Sequence, residues 1–209
     1  MTHDPATTRL YHITDVSNLP AILAAGGLLS DVALGSAPHQ VIGYDHIKRR
    51  RMTVYRIACC GQRFVGEFVP FYFCPRSPML YTVNTGSTGR PAGCQASIVH
   101  LVTTVSRAVA LGRDWAISDG NAGAAYAAFA DDLAALDGLD WQAIRATQWQ
   151  GRMHQKSAEF LVADRFPWQA IEAIGCPSIQ VAQQVANLLA GEAHVPAIAA
   201  QPTWYYPSP

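Results

Sequence analysis

A chain of 209 residues that is half apolar, 14% charged and of zero formal net charge holds enough apolar material for one sizeable core and little for a second. Zero net charge argues against a protein that coats nucleic acid indiscriminately. The opening MTHDPATTRL lacks the basic-then-apolar pattern of a secretory signal, and no window reaches the apolar length of a membrane span, so a single cytoplasmic domain over residues 1–209, with no membrane partner, is expected.

In chain order, RLYHIT, residues 9–14, alternates and is rich in β-formers, which predicts a strand. TDVSNLPAILAAGG follows with a cap residue, an early proline, an apolar stripe and terminating glycines, which predicts a helix. Residues 30–43 carry Gly, Ser, Pro and His without period and read as a loop, leading into the amphipathic YDHIKRRR. FVPFYFCPRSPMLYTV, residues 68–83, reads as two strands broken by PRSP, then NTGSTGRPAGC as a turn region and IVHLVTTV as another strand. NAGAAYAAFADDLAAL, residues 121–136, is a strong helix on propensity, and LDWQAIRATQW a shorter one. SAEFLV and AIEAIGC are strands, IQVAQQVANLLAG a helix, and TWYY a terminal strand. This irregular mixture lacks a βαβ rhythm, so the expected class is α+β with a central, largely antiparallel or mixed sheet and flanking helices.

Chemistry-bearing motifs of the common kinds are missing: there is no G-x-S-x-G, no P-loop and no G-x-G-x-x-G. The five cysteines form no C-x-x-C pair and the seven histidines no H-x-x-x-H pair, so neither a disulfide framework nor a metal site is expected. Three dispersed features remain. His12 sits on the first strand, KRRRMTVYR packs five cations into residues 48–56, and Glu159 heads the apolar run SAEFLV. Taken singly, each has an ordinary account: a core histidine, a solvated basic helix end, and an edge-strand or salt-bridged carboxylate.

Taken with their flanks, they are less ordinary. YHIT followed by NLPAILAAGGLLS resembles the opening of ADP-ribosyltransferases. The ordered set YHIT, NLPAIL, GYDHIKRRR, VPFYFCPRSPMLY, IVHLV, LDW, SAEFLV, FPWQAI and WYY, from about Leu10 to Tyr206, resembles the DarT family of DNA ADP-ribosyltransferase toxins. That resemblance implies the ADP-ribosyltransferase (PARP-like) fold and NAD as co-substrate without a metal. His12, Ile13 and Thr14 would hold the nicotinamide end, with Leu29 and Ala21 as further NAD contacts; Ala21 stands where a relative has glycine. The stretch from about Ser36 to Thr53 would close over NAD, and that from Asp119 to Glu159 would present the acceptor. Glu159 would be the catalytic glutamate and Arg51 the functional arginine, with Arg50 one register away.

The chemistry implied is displacement of nicotinamide from a ribose that becomes oxocarbenium-like. A fixed carboxylate stabilises that charge, and an arginine can clamp a pyrophosphate. The implied acceptor is a base of single-stranded DNA, foremost thymine at N3, with guanine in DNA, or RNA, as the enzymatic alternative and a non-catalytic nucleic-acid-binding module as the other. Arg152, His154 and Lys156, just before Glu159, are expected to meet strand phosphates. The implied partner is DarG, a macrodomain antitoxin.

Overall fold

The computed structural model describes residues 3–207. Its strands are β1 (Arg9–Asp15), β2 (Gly27–Leu29), β3 (Arg56–Ile57), β4 (Arg63–Phe64), β5 (Phe68–Tyr72), β6 (Ile98–Thr104), β7 (Trp115–Ser118), β8 (Phe129–Ala130), β9 (Glu159–Ala163), β10 (Arg165–Pro167), β11 (Ala173–Cys176) and β12 (Ala197–Ala200). Eight of them form one sheet in the order β12-β11-β6-β1-β5-β9-β7-β8, and the other four pair off as β10-β2 and β3-β4. Every neighbouring pair in the large sheet is antiparallel except β11 with β12, which is parallel. The expected mixed, mostly antiparallel α+β class therefore holds.

The helices are α1 (Leu19–Ala24), α2 (Asp31–Leu34), α3 (Asp45–Thr53), α4 (Pro78–Asn84), α5 (Val105–Val109), α6 (Trp141–Arg145), α7 (Met153–Lys156) and α8 (Ile179–Leu188). β9 shows how sequence parity divides the core. All five of its residues are buried. Phe160 and Val162 pack into the large cluster with Phe71 and Phe166, while Leu161 and Ala163 join a second cluster with Val65 and Phe68, as period-two alternation requires. Glu159 belongs by parity to the face of Leu161 and Ala163.

β1 and β5 make the opening on which the site depends. β1 is laddered to β6 over its whole length, but its pairing with β5 registers only at Tyr11 and Tyr72. The two strands then part, and a cleft opens at the break.

Four sequence expectations fail here. PMLYTV is the helix α4 and not a strand, because Ser77 caps it, accepting from the Leu80 amide at 3.2 Å, and Pro78 starts it. The Ala-rich stretch 121–136 is not a helix: its backbone donors and acceptors are used elsewhere. Ala122 N–H goes to Glu159, Gly123 N–H to the Asn121 side chain, and Ala128 N–H to the Asp119 carboxylate. β8 then pairs with β7. Alanine propensity without an apolar stripe to bury does not hold a helix against such competition. TWYY is a 3-10 turn in place of a strand, and the terminal strand is the earlier AIAA of β12. Finally, the loop read over 30–43 contains α2, capped by the Ser30 hydroxyl.

Candidate active site

A cavity of about 360 Å³ occupies the cleft. Its floor comes from β1 (His12, Ile13, Thr14) and β5 (Pro70, Tyr72), one wall from Ala21 and Leu29, and its cover from the segment 37–44 and α3. α3 presents Tyr44, its N-cap, with Ile47, Lys48 and Arg51 to the cavity, the i, i+3, i+4, i+7 stripe of one helix face. Arg49 and Arg50 fall on the other side and are exposed, Arg50 lying 5.0 Å from the Tyr55 ring centre. The structure thus places Arg51 and not Arg50 at the cavity. All six residues expected to meet NAD, namely His12, Ile13, Thr14, Ala21, Leu29 and Arg51, line this one space.

Glu159 sits behind it. Glu159 is 1% exposed, and Arg51 closes over its carboxylate as a two-pronged fork, Nη1 donating to Oε1 at 3.0 Å and Nη2 to Oε2 at 2.9 Å. The Ala122 amide donates to Oε1 at 3.0 Å, and the Glu159 amide donates to the Ser118 hydroxyl at 3.1 Å. Tyr72 and Ser118 flank Glu159 on the neighbouring strands. Burial works against the Arg51 charge, but the Glu159 carboxylate outweighs it and holds the guanidinium above its ordinary pKa. Burial, then the same carboxylate, pushes the Tyr72 phenol up, so its hydroxyl keeps its proton. The pyrophosphate clamp expected of Arg51 is not what this geometry shows, because both prongs are engaged by Glu159.

His12 is neutral: burial lowers its pKa, against the opposing pull of the Pro70 carbonyl. Its Nδ1 lies 2.8 Å from that carbonyl oxygen and must donate there, which assigns Nε2 as the acceptor nitrogen.

The three cations expected at the acceptor strand are dispersed. Arg152 is exposed, reaching Gln142 Oε1 at 3.3 Å. His154 is half-buried, with Nε2 3.5 Å from Asp119 Oδ1 and its ring against Tyr126. Lys156 contradicts the expectation. It is 2% exposed, and its Nζ donates to the carbonyls of Ile144 and Ala146 at 2.9 and 2.8 Å. An ammonium there satisfies the free carbonyls at the C-terminus of α6 and has no route to a phosphate. Groups the sequence reading missed are Tyr72, Ser118 and the Ala122 amide, whose roles arise from strand register and loop path, and Lys48, whose inward position could have been read from the helical stripe. Among the described residues, no group of three or more His, Cys, Asp and Glu side chains could hold a metal ion.

Comparison with known proteins follows the same lines. The family model described as DarT, ssDNA thymidine ADP-ribosyltransferase, matches residues 11–206. The DNA ADP-ribosyl transferase of Thermus aquaticus is 38% identical over 205 residues, covering 97% of this chain and 90% of the relative; that of Mycobacterium tuberculosis is 30% identical, covering 94% and 88%. Thermus sp. 2.9 DarT in complex with ADP-ribosylated ssDNA superposes with a TM-score of 0.91 at 36% identity, over 99% of this chain and 100% of that one. The same protein in complex with NAD+ gives a TM-score of 0.86 at 33% identity, with the same coverage.

Proposed function

The chain belongs to the DarT family of ssDNA thymidine ADP-ribosyltransferases, NAD-dependent enzymes that modify DNA, and from that premise we propose which of its groups carry the transfer. The observation that carries the reading is the pairing of Arg51 with the buried Glu159 at the edge of a cavity lined by His12, Ile13 and Thr14. NAD occupies the cavity with its nicotinamide end toward these three residues: the neutral His12 accepts from a ribose hydroxyl, and backbone groups of Ile13 and Thr14 meet the carboxamide. Ala21 and Leu29 supply the wall. The segment 36–53 closes over the dinucleotide, and the region 119–159, which brings Asn121 and the Ala122 amide beside the pair, presents the acceptor.

In the reaction the bond between ribose C1′ and the nicotinamide nitrogen breaks, and one between C1′ and thymine N3 forms. The electron pair of the broken bond leaves with neutral nicotinamide, and the N3 proton passes to solvent. Glu159 Oε2 accepts from Arg51 and keeps a lone pair for the ribose 2′-hydroxyl, so the carboxylate steadies the oxocarbenium-like ribose. Arg51, always protonated, favours loss of the N3 proton by its charge alone. Arg152 and His154 meet the strand on the side of the loop that leads to Glu159. The family also supports a cytoplasmic setting and a DarG-type macrodomain antitoxin that removes the mark.

The acceptor is tested with oligonucleotides. Because pairing hides N3, labelling should be strong on a single strand, poor on matched duplex, and absent when N3-methylthymine replaces the target base. Mass spectrometry of the labelled nucleotide checks the site. Equal labelling of duplex, or labelling of the methylated substrate, would refute thymine N3 and leave the NAD half of the reading intact.

A further inference from the structure

We propose that Lys48 is the cation that meets the NAD diphosphate, an assignment that rests on NAD occupying the cavity. A diphosphate buried in a mostly apolar cavity needs a permanent positive charge near it. Among the described residues lining the cavity, only Lys48 and Arg51 supply one. Arg51 has both prongs on Glu159, and turning it toward a phosphate would strand a buried carboxylate, which is the costlier arrangement. Lys48 is differently placed. It sits one turn before Arg51 on the same inward stripe of α3, with its side chain 24% exposed.

Its ammonium is already aimed and held. Nζ lies 3.0 Å from Asp31 Oδ1 and 3.0 Å from His39 Nε2, and the imidazole is itself fixed by Nδ1 donating to the Ala37 carbonyl at 2.9 Å. An ammonium has three donors; these two partners leave one for the ligand. Asp31, Ala37 and His39 also line the cavity, so the whole assembly lies at its edge and would brace the lysine against the diphosphate without consuming its last donor.

The competing account is that Lys48 only latches α3 to α2 through Asp31. Calorimetric titration of the full chain with ADP-ribose, and with adenosine as the probe lacking a diphosphate, separates the two. Lys48→Met should weaken ADP-ribose by about tenfold to a hundredfold, the range of one charge-assisted hydrogen bond, and leave adenosine within about twofold. Lys48→Arg should recover most of the loss. Asp31→Asn should change ADP-ribose affinity by no more than a few-fold, because it loosens the brace on Lys48 but also removes a carboxylate from beside the diphosphate. Adenosine weakened in step with ADP-ribose, or Asp31→Asn as damaging as Lys48→Met, would establish the latch and overturn the assignment. Wild-type protein that takes up no ADP-ribose would instead bring down the NAD reading of the cavity, and this proposal with it.

Discussion

Glu159 and Arg51 make one another's charge tolerable: Glu159 is 1% exposed and the guanidinium is bonded to it twice, so removing either partner leaves the other's charge uncompensated. Glu159→Gln should therefore cut transfer on the order of 100-fold or more, while labelled NAD still binds the folded protein; transfer within a few-fold of wild type would remove Glu159 from the mechanism. Arg51→Ala leaves the carboxylate unpaired, which should cost about 3–5 kcal/mol in urea denaturation as well as transfer. Arg50→Ala, on the outer face, should cost within about 0.5 kcal/mol and leave labelling intact, and the reverse ranking would put the functional arginine one register back. At this scale the sequence was informative about Glu159 because a carboxylate opening an apolar run needs a reason. It was silent about the fork, because a residue 108 positions away carries no local signal.

Among the elements, the legible ones were those whose burial agrees with local pattern: β1, α1, β6, β9 and α8 lie where alternation or a capped stripe puts them. Errors came where competition decided. The alanines of 121–136 lost to side chains that capture the amides of Ala122 and Ala128, and Ser77 and Pro78 carried a start signal for α4 that the β-like composition of MLYTV obscured. α6 supplies a prediction of its own. It is five residues long, too short to hold itself, and the buried Lys156 ammonium closes its C-terminal carbonyls. Lys156→Ala should thus lower stability by about 1–3 kcal/mol, a melting shift of about 2–4 °C per kcal/mol for a chain of this size, and leave the salt dependence of DNA binding unchanged. Arg152→Ala should do the opposite, flattening the salt dependence with little change in melting. A Lys156 variant that melts like wild type yet binds DNA with a shallower salt slope would restore it to the strand.

Across the whole molecule, the C-terminal segment is tied back over the sheet by a buried polar knot that also sets the response to acid. His100, on β6 and fully buried, has Nε2 2.9 Å from the Pro75 carbonyl and Nδ1 3.1 Å from the Tyr205 hydroxyl, which in turn lies 2.9 and 3.0 Å from the carbonyls of Ile98 and Gly175. One imidazole thus joins the sheet, the turn before α4 that carries Met79 to the cavity, and the last described residues. Burial lowers its pKa to about 4, with the Pro75 carbonyl opposing. The folded value lies below the ordinary value near 6.5, so the unfolded chain binds this proton first as pH falls. The stability that neutral His100 contributes is complete above about pH 6.5 and is lost progressively toward pH 4, amounting to about 3 kcal/mol at most. Chemical denaturation at a series of pH values should show that decline, and His100→Gln, which keeps an amide donor and acceptor but has no proton to gain in this range, should be less stable at pH 7 and flatter between pH 6.5 and 4. A His100→Gln profile parallel to wild type would mean that other groups govern the acid limb and that the knot is indifferent to protons.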